Sequence, residues 1–521
     1  PWQEGKERQT QTFRPDNGNL LRQSDVEWEE GASGGPPEPP RNARIKQVQT
    51  TLSDSGQASK EVYQYDQYNN RTQVEEFDFG SSTAARLTLT SYLTGGQYDN
   101  NTIHIRNLVQ TQWIYEGAQA RASTSYEYDN YIADPDNSHA PLLPRDGITG
   151  HDTANFGAGE IRRGNVTMVQ RWLNTLGASP ATFQHYDIAG NMVKRWDANG
   201  NSTLIEYSQI YGYALPTKVT NALGHETVTE YSLALGKPTR VTDPNNTVTT
   251  FTYDDPLDRL KQVVRAPGVA AVQTQTTFNY DDANRTITTT SDQNAYLDNR
   301  LKTEVVYDGL GRQSERRQYE DAVKQEYDEM GRVFKVWNPF HEPLHAGETL
   351  RWTTTEYDTL GRIKQVTLPD NSTVVTTYTG NETTVSDPAG IAKKSLTDAL
   401  GRLTEVIENS SGPAADQVST KYRYDALDNL KAVCQAGAWG ANDSCQNGQG
   451  RKFIYDSWSR LTSATNPEYT NASGGNGTAS FAYDANGNLT SKTDARGVAT
   501  TFDPYDALNR PTRTSYSDGT Q

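Results

Sequence analysis

Short runs rich in Val, Thr, Tyr and Ile recur along the chain, and clusters of Asp, Asn, Gly and Pro separate them. Two such runs are STVVTTY, from Ser372 to Tyr378, and TITTT, which begins at Thr286. β-Branched and aromatic residues favour strands, whereas Asp, Asn, Gly and Pro favour turns. No long window has the apolar spacing of an amphipathic helix. The pattern therefore predicts an almost entirely β structure made of many short strands.

The dipeptide Tyr-Asp occurs 13 times, and many copies begin a longer phrase. These copies are YDGLGRQ at Tyr307, YDEMGRV at Tyr327, YDTLGRI at Tyr357, YDALDNL at Tyr424, YDSWSRL at Tyr455, YDANGNL at Tyr483 and YDALNRP at Tyr505. From Tyr253 onward they begin about 20 to 31 residues apart, except for a longer interval that TDALGRL at Thr397 divides. A period of this length indicates an array of one supersecondary unit.

Each repeat predicts a β-hairpin. In the phrase Asp-x-x-Gly-Arg, the Asp caps a type I turn and the Gly takes the left-handed position that follows it. The glycines at this position are Gly311, Gly331, Gly361 and Gly401. Asp428 and Asn509 stand there in two other copies and tolerate a positive φ, whereas Ser459 fits the position less well.

Composition describes an ordered chain without a thick apolar core. Hydrophobic residues are 34% of the chain even with Tyr counted, and the mean hydropathy is −0.81. Aromatic residues are 10% and charged residues only 22%, which is unlike a disordered chain. The 49 basic and 65 acidic residues give a net charge of −16, which disfavours a nucleic acid partner. No apolar stretch is long enough to predict a transmembrane helix.

We divide the sequence into three regions. Residues 1–40 form a polar segment that ends in the Gly/Pro-rich linker GASGGPPEPP. Residues 41–185 contain Tyr-Asp pairs at wider spacing and are interpreted as degenerate or decorated repeats. Residues 186–521 form the regular array. The chain starts at Pro1 and stops inside a patterned region, so we expect it to be part of a longer protein.

The repeated Y-D-x-x-G-R-L phrases resemble the YD repeats of the Rhs family. That family includes bacterial polymorphic toxins, the C component of insecticidal toxin complexes, wall-associated bacterial proteins and animal teneurins. The resemblance is strong from about Tyr186 to Gln521 and weaker over 41–185. It implies an all-β fold in which repeated hairpins form one long twisted antiparallel sheet that winds as a spiral into a hollow shell. A wall one sheet thick needs few apolar residues, as the composition requires.

The repeat tyrosines are expected to hold neighbouring hairpins together, each ring stacking near its counterpart in the next hairpin. They are Tyr253, Tyr280, Tyr307, Tyr327, Tyr357, Tyr424, Tyr455, Tyr483 and Tyr505. The repeat arginines, among them Arg312 and Arg402, either pair with acidic residues of the next turn or remain solvated edge charges.

Two strings match catalytic motifs but lack the required context. His341 to His345 reads H-E-x-x-H, whose zinc chemistry needs both His on one helix face. Pro343 lies between them and opposes a helix, so we interpret the string as a loop, with an incidental surface metal as the alternative. Gly31 to Gly35 reads G-x-S-x-G, but the following Pro-rich segment cannot form the helix that a nucleophile elbow needs.

Two further features have structural explanations. The Asp-x-Asn-Gly phrases at Asp197 and Asp484 suggest calcium, but their Gly is fourth rather than sixth, so turn chemistry explains them more simply. Cys434 and Cys445 lie eleven residues apart. They either form a disulfide that closes a short loop in an oxidising compartment or remain free thiols in a bacterial cytosol.

We therefore expect a structural protein and not an enzyme, without a metal or cofactor. The leading hypothesis is a shell segment of a bacterial secreted Rhs-type protein that encloses or presents a C-terminal effector, as the resemblance implies. The alternative is an extracellular adhesion or surface-assembly protein that binds glycans or neighbouring cells. Expected partners are the missing C-terminal part of the same chain or an enclosed effector, with other copies or glycans as further possibilities. We expect the protein outside the cell, secreted or at the surface.

Overall fold

A computed structural model describes the chain except for residues 1–4, 15–17, 31–42, 101–102, 149, 176, 178, 471–475 and 520–521. The Gly31–Gly35 string and the Gly/Pro-rich linker therefore lie outside the described residues. The described part contains forty strands, and 38 of them belong to one antiparallel sheet that is not closed. The prediction of an all-β chain built from hairpins in one long antiparallel sheet is confirmed.

The chain divides into two compact units. The larger unit comprises residues 1–145, 152–202 and 376–521, and the smaller unit comprises residues 146–151 and 203–375. Two of the four boundaries along the chain fall within the strands β12 and β27, which are Ser202–Tyr207 and Thr373–Thr379.

The larger unit contains eleven strands from the first part of the chain: β1 (Gln9–Phe13), β2 (Leu20–Glu29), β3 (Arg44–Leu52), β4 (Gln57–Tyr65), β5 (Arg71–Phe77), β6 (Ala84–Tyr92), β7 (Val109–Glu116), β8 (Gln119–Tyr128), β9 (Val166–Arg171), β10 (Ala181–Tyr186) and β11 (Met192–Trp196).

It also contains thirteen strands from the last part: β28 (Glu382–Ser386), β29 (Ala392–Thr397), β30 (Leu403–Glu408), β31 (Val418–Tyr424), β32 (Leu430–Gln435), β33 (Ala438–Trp439), β34 (Cys445–Gln446), β35 (Gln449–Tyr455), β36 (Leu461–Thr470), β37 (Asn476–Tyr483), β38 (Leu489–Thr493), β39 (Ala499–Phe502) and β40 (Thr514–Tyr516).

The smaller unit contains β13 (Pro216–Thr220), β14 (Glu226–Tyr231), β15 (Pro238–Thr242), β16 (Val248–Thr252), β17 (Gln262–Arg265), β18 (Thr274–Asp281), β19 (Thr286–Ser291), β20 (Leu301–Tyr307), β21 (Gln313–Gln318), β22 (Asp321–Tyr327), β23 (Val333–Trp337), β24 (Phe340–His341), β25 (Trp352–Tyr357) and β26 (Ile363–Thr367).

Helix is limited, in the described residues, to one four-residue helix α1 (Thr153–Phe156) and the 3-10 turns Gln209–Tyr211, Ala414–Asp416 and Ala441–Asp443. None of the described helices has the length and apolar character that crossing a membrane requires.

Most strands pair with the next strand in the chain, as expected for successive hairpins. The short strand β24 pairs with β22, so that β25 adds to β23. β33 and β34 form a separate small hairpin inserted between the paired strands β32 and β35. At six repeat turns, those of Tyr307, Tyr327, Tyr357, Tyr424, Tyr455 and Tyr483, the register shifts at the Tyr, whereas Tyr280 pairs without a shift. In the first of these turns Val306 faces Glu315, whereas Tyr307 faces Gln313. The extra residue on one strand is a β-bulge, which increases the local twist.

Few large apolar side chains are fully buried. In the larger unit, Leu173 is fully buried, and Tyr98 and Ile188 are each 2% exposed. In the described part of the smaller unit, the buried hydrophobic residues are Ala266, Ala322 and Phe340. The sheet is therefore held mainly by strand pairing and by half-buried side chains on its faces.

Candidate functional site

The repeat turn is a closed hydrogen-bonded unit in which the Asp carboxylate organises the backbone. In the copy at Asp308, Oδ1 accepts hydrogen bonds from the backbone N–H groups of Leu310 and Arg312, both at 2.9 Å. Oδ2 accepts a hydrogen bond from Nε of Arg312 at 2.7 Å. Equivalent bonds form at the aspartates Asp328, Asp358, Asp398, Asp456 and Asp506. The Asp and Arg of one phrase thus stabilise the same turn.

The fifth residue of the phrase, counted from the Tyr, has left-handed backbone geometry in the copies from Tyr307 onward. The glycines at this position have φ values between 76° and 81°: Gly311, Gly331, Gly361 and Gly401. Asp428 and Asn509 have φ values of 63° and 61°. Ser459, expected to fit less well, has φ of 60° and adopts the same turn, because Asp456 supplies the same carboxylate bonds.

The repeat Arg also contacts the next repeat. Beyond its bond to Asp328, the guanidinium of Arg332 lies 4.5 Å from the ring centroid of Tyr357, and its Nη1 donates to the carbonyl oxygen of Asp358 at 3.3 Å. Four more repeats show the same stacking: Arg259 on Tyr280, Arg312 on Tyr327, Arg402 on Tyr424 and Arg460 on Tyr483. The arginines are therefore not simple solvated charges, since each joins its own turn to the next hairpin.

The repeat tyrosines attach one hairpin to the preceding one through their hydroxyl groups. The hydroxyl of Tyr327 donates to the carbonyl oxygen of Gln313, the residue after the preceding repeat's Arg, at 2.7 Å. Similar bonds are made by Tyr253, Tyr280, Tyr357, Tyr483 and Tyr505. Among the described residues, no two of the nine rings contact each other. Stacking of each ring on its counterpart is therefore not seen among these residues. A cation lies over the ring face at six of the nine, namely Tyr253, Tyr280, Tyr327, Tyr357, Tyr424 and Tyr483.

The protonation equilibria of these groups reflect the same contacts. The backbone amide and guanidinium of Arg312 lower the pKa of Asp308. The guanidinium of Arg259 lowers the pKa of Asp255 to about 2. Burial raises the phenol pKa of six repeat tyrosines, namely Tyr253, Tyr280, Tyr424, Tyr455, Tyr483 and Tyr505. These contacts thus favour an ionised carboxylate at Asp255 and Asp308 and a neutral phenol at the six tyrosines.

Within the larger unit, several repeat turns contact residues much earlier in the chain. Asp428 Oδ2 lies 2.8 Å from Nη1 of Arg86, a separation of 342 residues. Ser457 Oγ and Trp458 Nε1 both donate to the carbonyl oxygen of Trp172, at 2.7 and 3.0 Å. The Tyr-Asp phrase did not predict these contacts.

A reciprocal contact joins the two Asp-x-Asn-Gly turns. Asn199 Nδ2 donates to Asp484 Oδ2 at 2.9 Å, and Asn486 Nδ2 donates to Asp197 Oδ2 at 2.7 Å. Each carboxylate also accepts backbone N–H groups of its own turn. Hydrogen-bond donors, rather than further oxygen ligands, surround these carboxylates, so their geometry supports the turn interpretation over calcium.

One repeat turn is expanded by an insertion. The backbone N–H of Asp129 donates to the carbonyl oxygen of Asn165. In an ordinary repeat turn, the backbone N–H of Asp308 donates to the carbonyl oxygen of Arg312, only four residues later. The carboxylate of Asp129 accepts the backbone N–H groups of Arg163, Gly164 and Asn165. Residues 130–162 are therefore inserted between the two halves of an otherwise ordinary turn. The sequence signal for this insertion is the Tyr128-Asp129 pair, because no Gly follows it at the usual turn position.

The remaining sequence candidates lie apart from the repeat turns. Cys434 and Cys445 are joined by a disulfide that links β32 to β34. The string from His341 to His345 is not helical: His341 ends β24, and the residues after it form a loop. The two-histidine helix face of a zinc protease is therefore absent from this described segment.

Comparison with known proteins supports the repeat assignment. A family model described as RHS Repeat matches residues 231–269 and 483–521. The resemblance to the Rhs/YD-repeat family is thereby confirmed. No curated protein matches the sequence significantly.

Two solved structures share the fold over nearly the whole chain. The crystal structure of TcdB2-TccC3-TEV superposes with a TM-score of 0.72 and 11% identity, covering 99% of this chain and 35% of the other. The crystal structure of TcdB2-TccC3 gives 0.68 and 12%, covering 96% and 32%. The chain thus spans about a third of the length of the structures that it matches, and at this identity the likeness shows a shared fold.

Proposed function

We propose that this chain is a segment of the wall of a hollow Rhs-type shell in a bacterial secreted protein. In the longer protein, the shell would enclose or present a C-terminal effector segment. The observation that carries the proposal is the fold match to the TcdB2-TccC3-TEV structure over 99% of this chain, together with the RHS repeats.

The burial of the sheet and the bonding of its turns are suited to the wall of a hollow shell. The sheet buries few large apolar side chains, so both of its faces tolerate water or a polar cargo. The turn carboxylates are engaged by backbone N–H donors and by arginines, as at Asp308. In this proposal the chain performs no chemistry. The regular array from residue 186 and the decorated repeats over 41–185 serve the same wall.

Two further properties fit the proposal: one supports a location outside the cell, and the other disfavours a nucleic acid partner. The Cys434–Cys445 disulfide closes a loop inserted between β32 and β35. Such bonds persist mainly in oxidising compartments. The net charge of −16 also keeps such a protein away from nucleic acid.

The test is protease protection of the full-length protein. We expect the segment that follows the repeats to resist digestion in the native protein and to be cleaved rapidly once the protein is denatured. Trp458→Ala, which removes a contact to Trp172 within the larger unit, should increase cleavage of that segment. Met330→Ala, at the equivalent repeat position, serves as the control because its side chain is exposed.

Equal digestion of this segment in the native and denatured protein would contradict enclosure. Electron microscopy of the same preparation should show a hollow particle with internal density. A solid or fibrous assembly that binds glycans through its outer face would instead favour adhesion.

A further inference from the structure

The loop between β24 and β25 brings two histidines together. His341 is the last residue of β24 and pairs with Asp321 of β22. His345 lies four residues further on, and its ring stacks on that of His341 with centroids 3.7 Å apart and planes inclined by 14°. Both side chains are accessible, with 40% and 57% of their surfaces exposed. The pair is therefore open to a ligand from solvent.

Glu348 completes this cluster. Its Oε1 accepts the backbone N–H of His341 at 3.0 Å, and its Oε2 accepts the backbone N–H of His345 at 3.1 Å. Oε2 also lies 3.0 Å from Nδ1 of His341. The backbone N–H of Glu348 donates to the carbonyl oxygen of His345, which closes the turn. These bonds fix the carboxylate against the two imidazoles.

We propose that His341, His345 and Glu348 bind one Zn²⁺ ion. One ligand atom from each residue lies within 4.8 Å of the others. Ligands of a tetrahedral zinc ion lie about 3.4 Å apart, a distance that small rotations of exposed side chains can reach. Two imidazole nitrogens and one carboxylate oxygen suit zinc, whereas Ca²⁺ and Mg²⁺ prefer sites made of oxygen.

The site differs from the zinc-protease arrangement that the same string suggests. In that arrangement Glu342 would act as a base beside two helical histidines. Here a carboxylate oxygen of Glu342 lies 3.4 Å from Nε of Arg317 and 3.4 Å from Nζ of Lys324. The ligand carboxylate comes instead from Glu348, outside the string. The ion would tie the loop to β24 and thereby to β22, and it catalyses no reaction.

Isothermal titration of the full chain with ZnCl₂ tests the site. We expect one Zn²⁺ per chain and no binding of MgCl₂ at the same loop. His345→Ala should weaken zinc binding by about 100-fold, because it removes a ligand, and Glu348→Gln by about 10-fold. His225→Ala, an exposed histidine of the same unit, and Glu342→Gln are the controls and should leave zinc binding unchanged.

Far-UV circular dichroism establishes that each variant keeps its fold. The proposal is overturned if the wild-type chain takes up no zinc, or if His345→Ala binds zinc as tightly as His225→Ala. It is also overturned if Glu342→Gln, rather than Glu348→Gln, weakens binding. None of these outcomes depends on whether the protein encloses an effector.

Discussion

The repeat turns of the larger and smaller units share one backbone design but differ in what their fourth residue contacts. In the larger unit, Trp458 donates to the carbonyl oxygen of Trp172 and stacks with the guanidinium of Arg171. In the smaller unit, the equivalent residues Leu310 and Met330 are each 79% exposed. The phrase therefore specifies the hairpin, and its variable positions determine whether the turn has a second partner.

A substitution at the Gly position of the phrase can also give a repeat turn a second partner. Asp428 takes the position of the usual Gly and retains a positive φ. Its carboxylate then pairs with Arg86, 342 residues earlier, and with Arg402 of the preceding repeat. A glycine would preserve this turn but would lose both ion pairs. Asp428 is slightly less favourable than Gly in the left-handed position, and its two ion pairs, which glycine cannot form, compensate for this cost.

Acidification should produce the largest effect, because turn carboxyls with a lowered pKa occur in both units, for example Asp308 in the smaller unit and Asp506 in the larger unit. Arg259 lowers the pKa of Asp255 to about 2, and backbone amides, first that of Gln293, lower the pKa of Asp298 to about 2, from an ordinary value of 3.8. A depressed carboxyl pKa stabilises the folded state above the ordinary pKa, and this stability is lost as the pH falls through the folded pKa. We expect the urea midpoint to fall steadily between about pH 4 and pH 2.

Asp255→Asn should make this pH dependence shallower, since one titrating turn is removed. A urea midpoint that stays constant down to pH 2 would show that the turn carboxylates do not stabilise the fold.

Trp458→Ala should destabilise the larger unit by about 3 kcal/mol, because it removes a large side chain that packs on earlier residues. Met330→Ala, the matched change in the smaller unit, should alter stability by less than about 0.5 kcal/mol. Urea unfolding followed by far-UV circular dichroism measures both. Similar losses in the two variants would mean that the fourth position has the same role in every repeat.

The local parts of this design could be predicted from sequence, and the distant contacts could not. Type I turns capped by Asp follow from the chemistry of five consecutive residues, which is why a positive φ at Gly311 and its counterparts could be expected from the sequence. The group that packs on the ring of a repeat Tyr could not be predicted, because the face of an aromatic ring can pack against either a cation or a second aromatic ring. Contacts such as Trp458 with Trp172 join residues 286 positions apart, and no period in the sequence records them. Glu348 was missed because it lies outside the motif string.

Tyr327→Phe should destabilise the smaller unit by about 1 kcal/mol, because it removes the hydroxyl that donates to the carbonyl oxygen of Gln313 and accepts from Nε2 of Gln325. Tyr307→Phe is the control, since in the described part of the chain the hydroxyl of Tyr307 forms no such bond. Both changes keep the ring, so the difference isolates the hydroxyl. Equal stability of the two variants, measured by urea unfolding, would show that attachment between these repeats rests on the ring and the strand pairing alone.

Asn199→Ala should give the smallest effect, a loss of about 0.5 kcal/mol from the larger unit. The variant removes the bond from Asn199 Nδ2 to Asp484 but keeps the backbone N–H that caps its own turn. Asn245→Ala is matched to it in the smaller unit, where the backbone N–H of Asn245 donates to Asp243 in the same way. We expect no measurable change in urea unfolding for Asn245→Ala. If both asparagine variants lose equal stability, the effect belongs to the turn itself, and the contact between Asn199 and Asp484, 285 positions apart, contributes nothing.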